Sequence, residues 1–147
     1  MNTQIVILDY GSQYTQLLAR RIRELNVYAE VISFQTTATD LKQYPNLKGI
    51  ILSGGPSSVY AQDAYSIDQE IFNLNLPVLD VCYGMQLITE IFDGKVELAA
   101  TQEFGKAILH IKEQNKLLTE VPKRLRSLNE SWWPSNTNVQ KLLLQNC

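Results

Sequence analysis

Apolar and polar residues alternate along this chain in blocks that read as strands and helices in turn. Gln4–Leu8 is a continuous apolar run, the pattern of a strand buried on both faces. Gly11-Ser12 interrupts it, and Ser12 is placed to cap a helix. Tyr14, Leu17, Leu18, Ile22 and Leu25 then recur at helical spacing and predict the buried stripe of that helix. Arg20, Arg21, Arg23 and Glu24 fill its other side and read as a solvated face. Val27–Ser33 predicts a second strand, and Thr39–Gln43 a short helix that Pro45 ends. Leu47–Leu52 predicts a third strand running into Ser53-Gly54-Gly55-Pro56. Asp63–Asn73 predicts a helix, Pro77–Val81 a fourth strand and Gly84–Phe92 another helix. Lys95–Leu98 and Lys106–Ile111 read as two more strands.

This alternation predicts an α/β fold: an open, mostly parallel sheet flanked by helices. Ligands of such sheets bind at the carboxyl ends of the strands. Three unusual segments fall on that edge: Asp9-Tyr10-Gly11, Ser53–Pro56 and Cys82-Tyr83-Gly84. From about Pro122 the pattern loses any clear period, and both Trp residues lie in that stretch.

Composition narrows the function classes. The 147 residues are 45% hydrophobic and 19% charged, as in soluble globular domains. Thirteen Lys and Arg against 15 Asp and Glu leave a formal charge of -2, with no basic footprint for nucleic acid. The two cysteines, Cys82 and Cys147, make neither a disulfide framework nor a zinc pattern, so no metal site is expected. No apolar run is long enough to cross a membrane, and the first residues read as a strand rather than a signal peptide. The expected compartment is the cytoplasm. The sequence holds one histidine, His110.

Cys82 stands at a strand-to-helix turn. A nucleophile there is held on a sharp bend at the top of the sheet. The helix N-terminus behind it offers unpaired N–H groups and a partial positive charge, which favour the reactive thiolate. The N–H of Tyr83 would point toward an oxyanion on an attacked carbonyl. The competing reading is an inert buried cysteine. Ser53-Gly54-Gly55-Pro56 likewise has two readings. It is a plain turn, or a close approach of backbone to substrate. It lacks the endings of a phosphate loop or dinucleotide fingerprint.

Three stretches carry a resemblance. They are Ile7-Leu8-Asp9-Tyr10-Gly11-Ser12-Gln13-Tyr14-Thr15-Gln16-Leu17, Gly49-Ile50-Ile51-Leu52-Ser53-Gly54-Gly55-Pro56, and Val81-Cys82-Tyr83-Gly84-Met85-Gln86. Gly94-Lys95-Val96-Glu97 and Phe104-Gly105-Lys106-Ala107 continue it. Together they resemble the class I glutamine amidotransferase domain of the GMP synthase family, over about residues 4–125. Amidotransferases of the anthranilate and carbamoyl phosphate pathways usually carry Leu-Gly-His after the cysteine. Tyr83-Gly84-Met85 therefore argues against a free-standing amidotransferase of another pathway.

The resemblance implies flavodoxin-like layering and a chemistry. Cys82 would attack the side-chain amide of glutamine, release ammonia and form a γ-glutamyl thioester. Gly55 and Tyr83 would supply the oxyanion hole, and Gly54, Gly55 and Gln86 would contact the substrate. The domain itself needs no cofactor. ATP and magnesium are implied only for the ATP-pyrophosphatase synthetase domain, here on another chain, which aminates xanthosine monophosphate to GMP.

The chain departs from the family in two places. The family completes its site with a His-x-Glu pair, reached through a Met-Ser-His-Gly stretch after the region matching Pro122–Leu125; its His is the general base and acid, and its Glu orients the His. Here His110 lies in an alternating strand and is followed by Lys112, not Glu. It reads as a strand histidine with no catalytic role. A frameshift near Leu125–Leu128 would explain this, leaving 1–125 as a partial amidotransferase domain and 126–147 as an atypical tail, out of frame or disordered. Asn129-Glu130-Ser131-Trp132-Trp133 can be encoded as AAT GAG TCA TGG TGG. Read one base later, that is ATG AGT CAT GGT, or Met-Ser-His-Gly. The second departure is Asp80, where the family usually has Gly; a carboxylate near the sulfur would disfavour the thiolate. The alternative to an active glutaminase is a catalytically inactive fragment that folds and binds a synthetase partner.

Overall fold

The computed structural model describes residues 2–55 and 65–96, together with the backbone of two strands at 105–110 and 124–129. The first unit contains four strands: β1 (Ile5–Asp9), β2 (Ala29–Ser33), β3 (Gly49–Leu52) and β4 (Val78–Asp80). All pair in parallel, in the spatial order β2-β1-β3-β4. This is the open parallel sheet that the alternation predicts. The chain leaves β1 toward β2 on one side and returns to β3 on the other, so the direction of winding reverses between β1 and β3. In such sheets that reversal opens a crevice at the strand ends.

One face of the sheet is sealed by α1 (Thr15–Glu24). Ala19 packs with Ile7, Ala29 and Ile51, and Leu18, Ile22, Val31, Leu79 and Val81 close around them. The stripe that reaches the sheet is therefore Thr15, Leu18, Ala19 and Ile22, spaced at three and four. Tyr14, Leu17 and Leu25 were expected in that stripe, but all three are exposed. Small Ala19 and Thr15 let the helix approach closely, which turns the larger flanking side chains outward. Ser12 is also not the cap itself. Its hydroxyl accepts from the Tyr14 N–H at 3.1 Å, and the helix begins at Thr15 with Tyr14 in the cap position. Asp9 fixes the connection by accepting from the Gly11 N–H at 2.9 Å and the Thr15 hydroxyl at 2.8 Å.

The arginine face is solvated as expected at Arg20 and Arg21, both paired with Glu24. Arg23 differs. Its guanidinium donates twice to the Ala29 carbonyl, at 2.9 and 2.7 Å, and ties the end of α1 to the start of β2.

The opposite sheet face presents Val6, Leu8, Ile50 and Leu52 by strand alternation, all buried. The short helix α2 (Ala38–Leu41) opens with a reciprocal cap between Thr37 and Asp40. The helix expected at Asp63–Asn73 is a 3-10 helix at Gln69–Leu74, and residues 56–64 lie outside the described part. Asp68 starts it by accepting from the Glu70 N–H, and left-handed Asn75 stops it two residues before Pro77. Too few residues separate these signals for a longer helix.

The second unit holds β5 (Gly105–His110) and β6 (Arg124–Asn129), paired antiparallel with His110 opposite Arg124. The aperiodic stretch after Pro122 thus contains a strand that crosses position 125. Lys95 and Val96 carry no strand, and the rest of the stretch expected at Lys95–Leu98 lies outside the described residues.

Candidate active site

The site is built at the carboxyl edge of β1, β3 and β4. β4 ends at Asp80, and after Val81 the chain turns at Cys82 into α3 (Tyr83–Ile91). Cys82 has φ 53° and ψ -109°, a conformation that a residue with a Cβ rarely adopts. The bend stands the side chain out of the sheet edge, and Cys82 is exposed. An inert buried cysteine, the competing expectation, does not describe it.

The helix behind Cys82 sits tight on the sheet. A Cβ on Gly84 would lie 2.7 Å from the Leu52 Cβ and 2.9 Å from the Leu52 carbonyl oxygen. Only glycine permits α3 to start this close to β3. The Gly84 and Met85 N–H groups donate to the Val81 and Cys82 carbonyls at 3.1 Å each. Tyr83, ahead of both, lies in the first turn, where the helix supplies no carbonyl for its N–H.

The turn after β3 meets this bend. A Cβ on Gly54 would lie 3.2 Å from the Cys82 Cβ and 3.4 Å from the Ser12 Oγ. A Cβ on Gly55 would lie 2.7 Å from the Tyr10 carbonyl oxygen. Close packing against the end of β1 therefore demands glycine at 55, and the approach to Cys82 is tight at 54. Gly54 stands directly beside Cys82, Gly55 against the end of β1, and Tyr83 follows Cys82. Gln86 lies one turn into α3. Its Oε1 is buried and finds no hydrogen-bond partner among the described residues.

Asp80 is 9% exposed, and its Oδ2 likewise has no partner among the described residues. Burial pushes its carboxyl up from 3.8 to about 6, against a smaller opposing pull from its own backbone N–H.

Sequence reasoning missed an aromatic cluster under the site. Tyr10, Phe34, Tyr65 and Tyr83 bring their rings together, with centroids between 4.6 and 6.0 Å apart. Tyr10 and Tyr83 flank motif glycines and were legible as candidates. Phe34 and Tyr65 lie outside any motif, and only the fold brings them in.

The class I glutamine amidotransferase family profile matches residues 6–134. The chain belongs to this family. The match runs beyond residue 125, where the resemblance read from the motifs stops. GMP synthase (glutamine-hydrolysing) of Mesoplasma florum is 57% identical over 141 residues, covering 96% of this chain and 27% of that protein. The Campylobacter jejuni enzyme of the same name is 54% identical over 138 residues, covering 94% of this chain and 26% of its own length. The chain thus spans about a quarter of the length of these relatives. Among solved structures, a protein from Thermoplasma acidophilum described as a GMP synthase subunit superposes with TM-score 0.68 at 25% identity, over 87% of this chain and 64% of that one. A glutamine amidotransferase from Thermotoga maritima shares the fold, with TM-score 0.67 at 19% identity, over 91% of this chain and 61% of that one. As an amidotransferase-family chain, it places the cysteine and both glycines of its motifs at one sheet edge.

Among the described residues no cluster of His, Cys, Asp and Glu is arranged to hold a metal ion. No helix among them is long and apolar enough to cross a membrane.

Proposed function

We propose that this chain is the glutamine-hydrolysing portion of a GMP synthase, with Cys82 as the nucleophile. The observation that carries the reading is the positive-φ bend at Cys82, exposed on the carboxyl edge and in contact range of Gly54. The Cys82 sulfur attacks the side-chain amide carbon of glutamine, and the tetrahedral intermediate places negative charge on its oxygen. The N–H groups of Gly55 and Tyr83 face that oxygen, one from the turn after β3 and one from the N-terminus of α3. Ammonia leaves with the thiol proton and a γ-glutamyl thioester forms. Water then hydrolyses it to glutamate and regenerates the thiol. Gln86, one turn into α3, helps hold the thioester or glutamine. The ammonia passes to an ATP-using synthetase unit outside these 147 residues, where xanthosine monophosphate becomes GMP.

Proton transfer is the weak step. The one histidine of the sequence, His110, is on β5 and is followed by Ile111 and Lys112. We assign it no part in the reaction, and such chemistry carried out by these 147 residues without a general base is slower on the order of a hundred- to ten-thousand-fold. The test is glutamate release from glutamine by the purified chain, with Cys82→Ala as control, in the presence and absence of a synthetase partner. Slow release that the substitution abolishes supports the proposal. No release in either condition supports an inactive, partner-binding fragment instead.

A further inference from the structure

The two donors assigned to the oxyanion hole come from different segments, and their spacing must be held by something between them. Tyr10, at the end of β1, is buried and touches both. On the turn side, its backbone N–H donates to the Ser53 Oγ at 3.0 Å. The Ser53 hydroxyl donates in turn to the Gly54 carbonyl at 3.0 Å, and the Ser53 N–H donates to the Leu8 carbonyl at 3.0 Å. The Tyr10 carbonyl is the atom that leaves no room for a Cβ on Gly55. On the helix side, the Tyr10 ring packs against the Tyr83 ring, with centroids 5.5 Å apart. The Tyr83 hydroxyl donates to the Tyr65 carbonyl at 3.0 Å, and Phe34 and Tyr65 close the remaining sides of Tyr10. The Tyr10 hydroxyl is buried with no hydrogen-bond partner among the described residues. The ring thus serves by its shape and not by its polar end.

We propose that Tyr10 and Ser53 are positioning residues that lock the Gly55 turn and the Tyr83 end of α3 into one frame, and so set the geometry of the oxyanion hole. This rests on the amidotransferase reading above. Neither side chain touches glutamine. Each acts by fixing where a backbone N–H points. Removing a donor of this kind outright costs about a hundred- to a thousand-fold. Tilting one should cost less, about ten- to a hundred-fold.

The test separates the hole from the nucleophile. The γ-semialdehyde of glutamate adds the Cys82 sulfur to its carbonyl and forms a tetrahedral adduct whose oxygen reads the hole. Iodoacetamide alkylates the same sulfur by displacement at carbon and needs no hole. Ser53→Ala and Tyr10→Leu should weaken semialdehyde binding about ten- to a hundred-fold while iodoacetamide rates stay within about twofold. Tyr10→Phe, which keeps the ring and drops only the unpartnered hydroxyl, should bind like the unsubstituted chain. Circular dichroism identifies any variant that fails to fold, and the two positions test the idea independently. Unchanged semialdehyde affinity in both Ser53→Ala and Tyr10→Leu, with Cys82→Ala abolishing it, overturns the positioning role and leaves the amidotransferase reading standing. Parallel loss of both reactivities would also overturn it, because it would mark a general collapse of the site. No semialdehyde binding by the unsubstituted chain overturns both.

Discussion

Asp80→Asn should stabilise this chain, and the gain should depend on pH. Asp80 is 9% exposed, has an unpartnered carboxyl oxygen among the described residues, and lies at the end of a strand whose neighbour in register is Leu52. Burial moves its carboxyl from 3.8 to about 6. Each tenfold change in proton affinity is worth about 1.4 kcal/mol, so ionised Asp80 opposes folding by about 3 kcal/mol. The folded chain holds a proton that the unfolded chain releases. Stability from this group therefore falls as pH rises from about 4 to about 6, and is level above that. Asn keeps the shape and removes the charge. Its advantage over Asp should be about 2 kcal/mol larger at about pH 7.5 than at about pH 4.5. Urea melts of both proteins at the two pH values measure it, and the same samples report iodoacetamide rates. Removing a buried negative charge two residues from Cys82 should speed alkylation above about pH 6. Equal stability differences at both pH values would refute the account of Asp80 as a buried, unpaired carboxylate.

Two further outcomes follow from the same geometry, and a third from the frameshift reading of the sequence. Gly84→Ala should lower stability by about 1 to 3 kcal/mol, seen as a lower melting temperature, because a Cβ there meets Leu52 at 2.7 Å. Cys82→Gly should raise stability by about 1 kcal/mol, because glycine relieves φ 53° while adding some chain entropy. The coding DNA should carry TCA at Ser131; any other serine codon removes His from the shifted frame and ends the frameshift explanation.

The parallel sheet was legible because β1 is apolar from Ile5 to Leu8 and β3 from Gly49 to Leu52, and because glycines follow their ends. The bend at Cys82 was legible for the same reason, as a cysteine between a strand and a glycine-bearing helix. What periodicity could not show was how closely α1 lies on the sheet. Thr15 and Ala19 are small, so the buried stripe shifted away from Tyr14, Leu17 and Leu25, which are larger and more apolar. Arg23 was hidden by its charge: it reads as a surface residue, yet its guanidinium joins two elements through a backbone carbonyl. The 3-10 helix was misread because Asp68, Asn75 and Pro77 set its limits more strongly than its apolar spacing did. The Tyr10 cluster could not be read at all, since Phe34 and Tyr65 meet Tyr10 only once β2 and the segment before the 3-10 helix are folded.

The central claim is that Cys82 stands in a glutamine-binding site as its nucleophile. A chloroketone analogue of glutamine tests it without needing a general base. Intact-mass spectrometry of the treated chain should show one adduct, mapped to Cys82, slowed by excess glutamine and absent from Cys82→Ala. An adduct that glutamine does not slow, or one that persists in Cys82→Ala, would contradict the account.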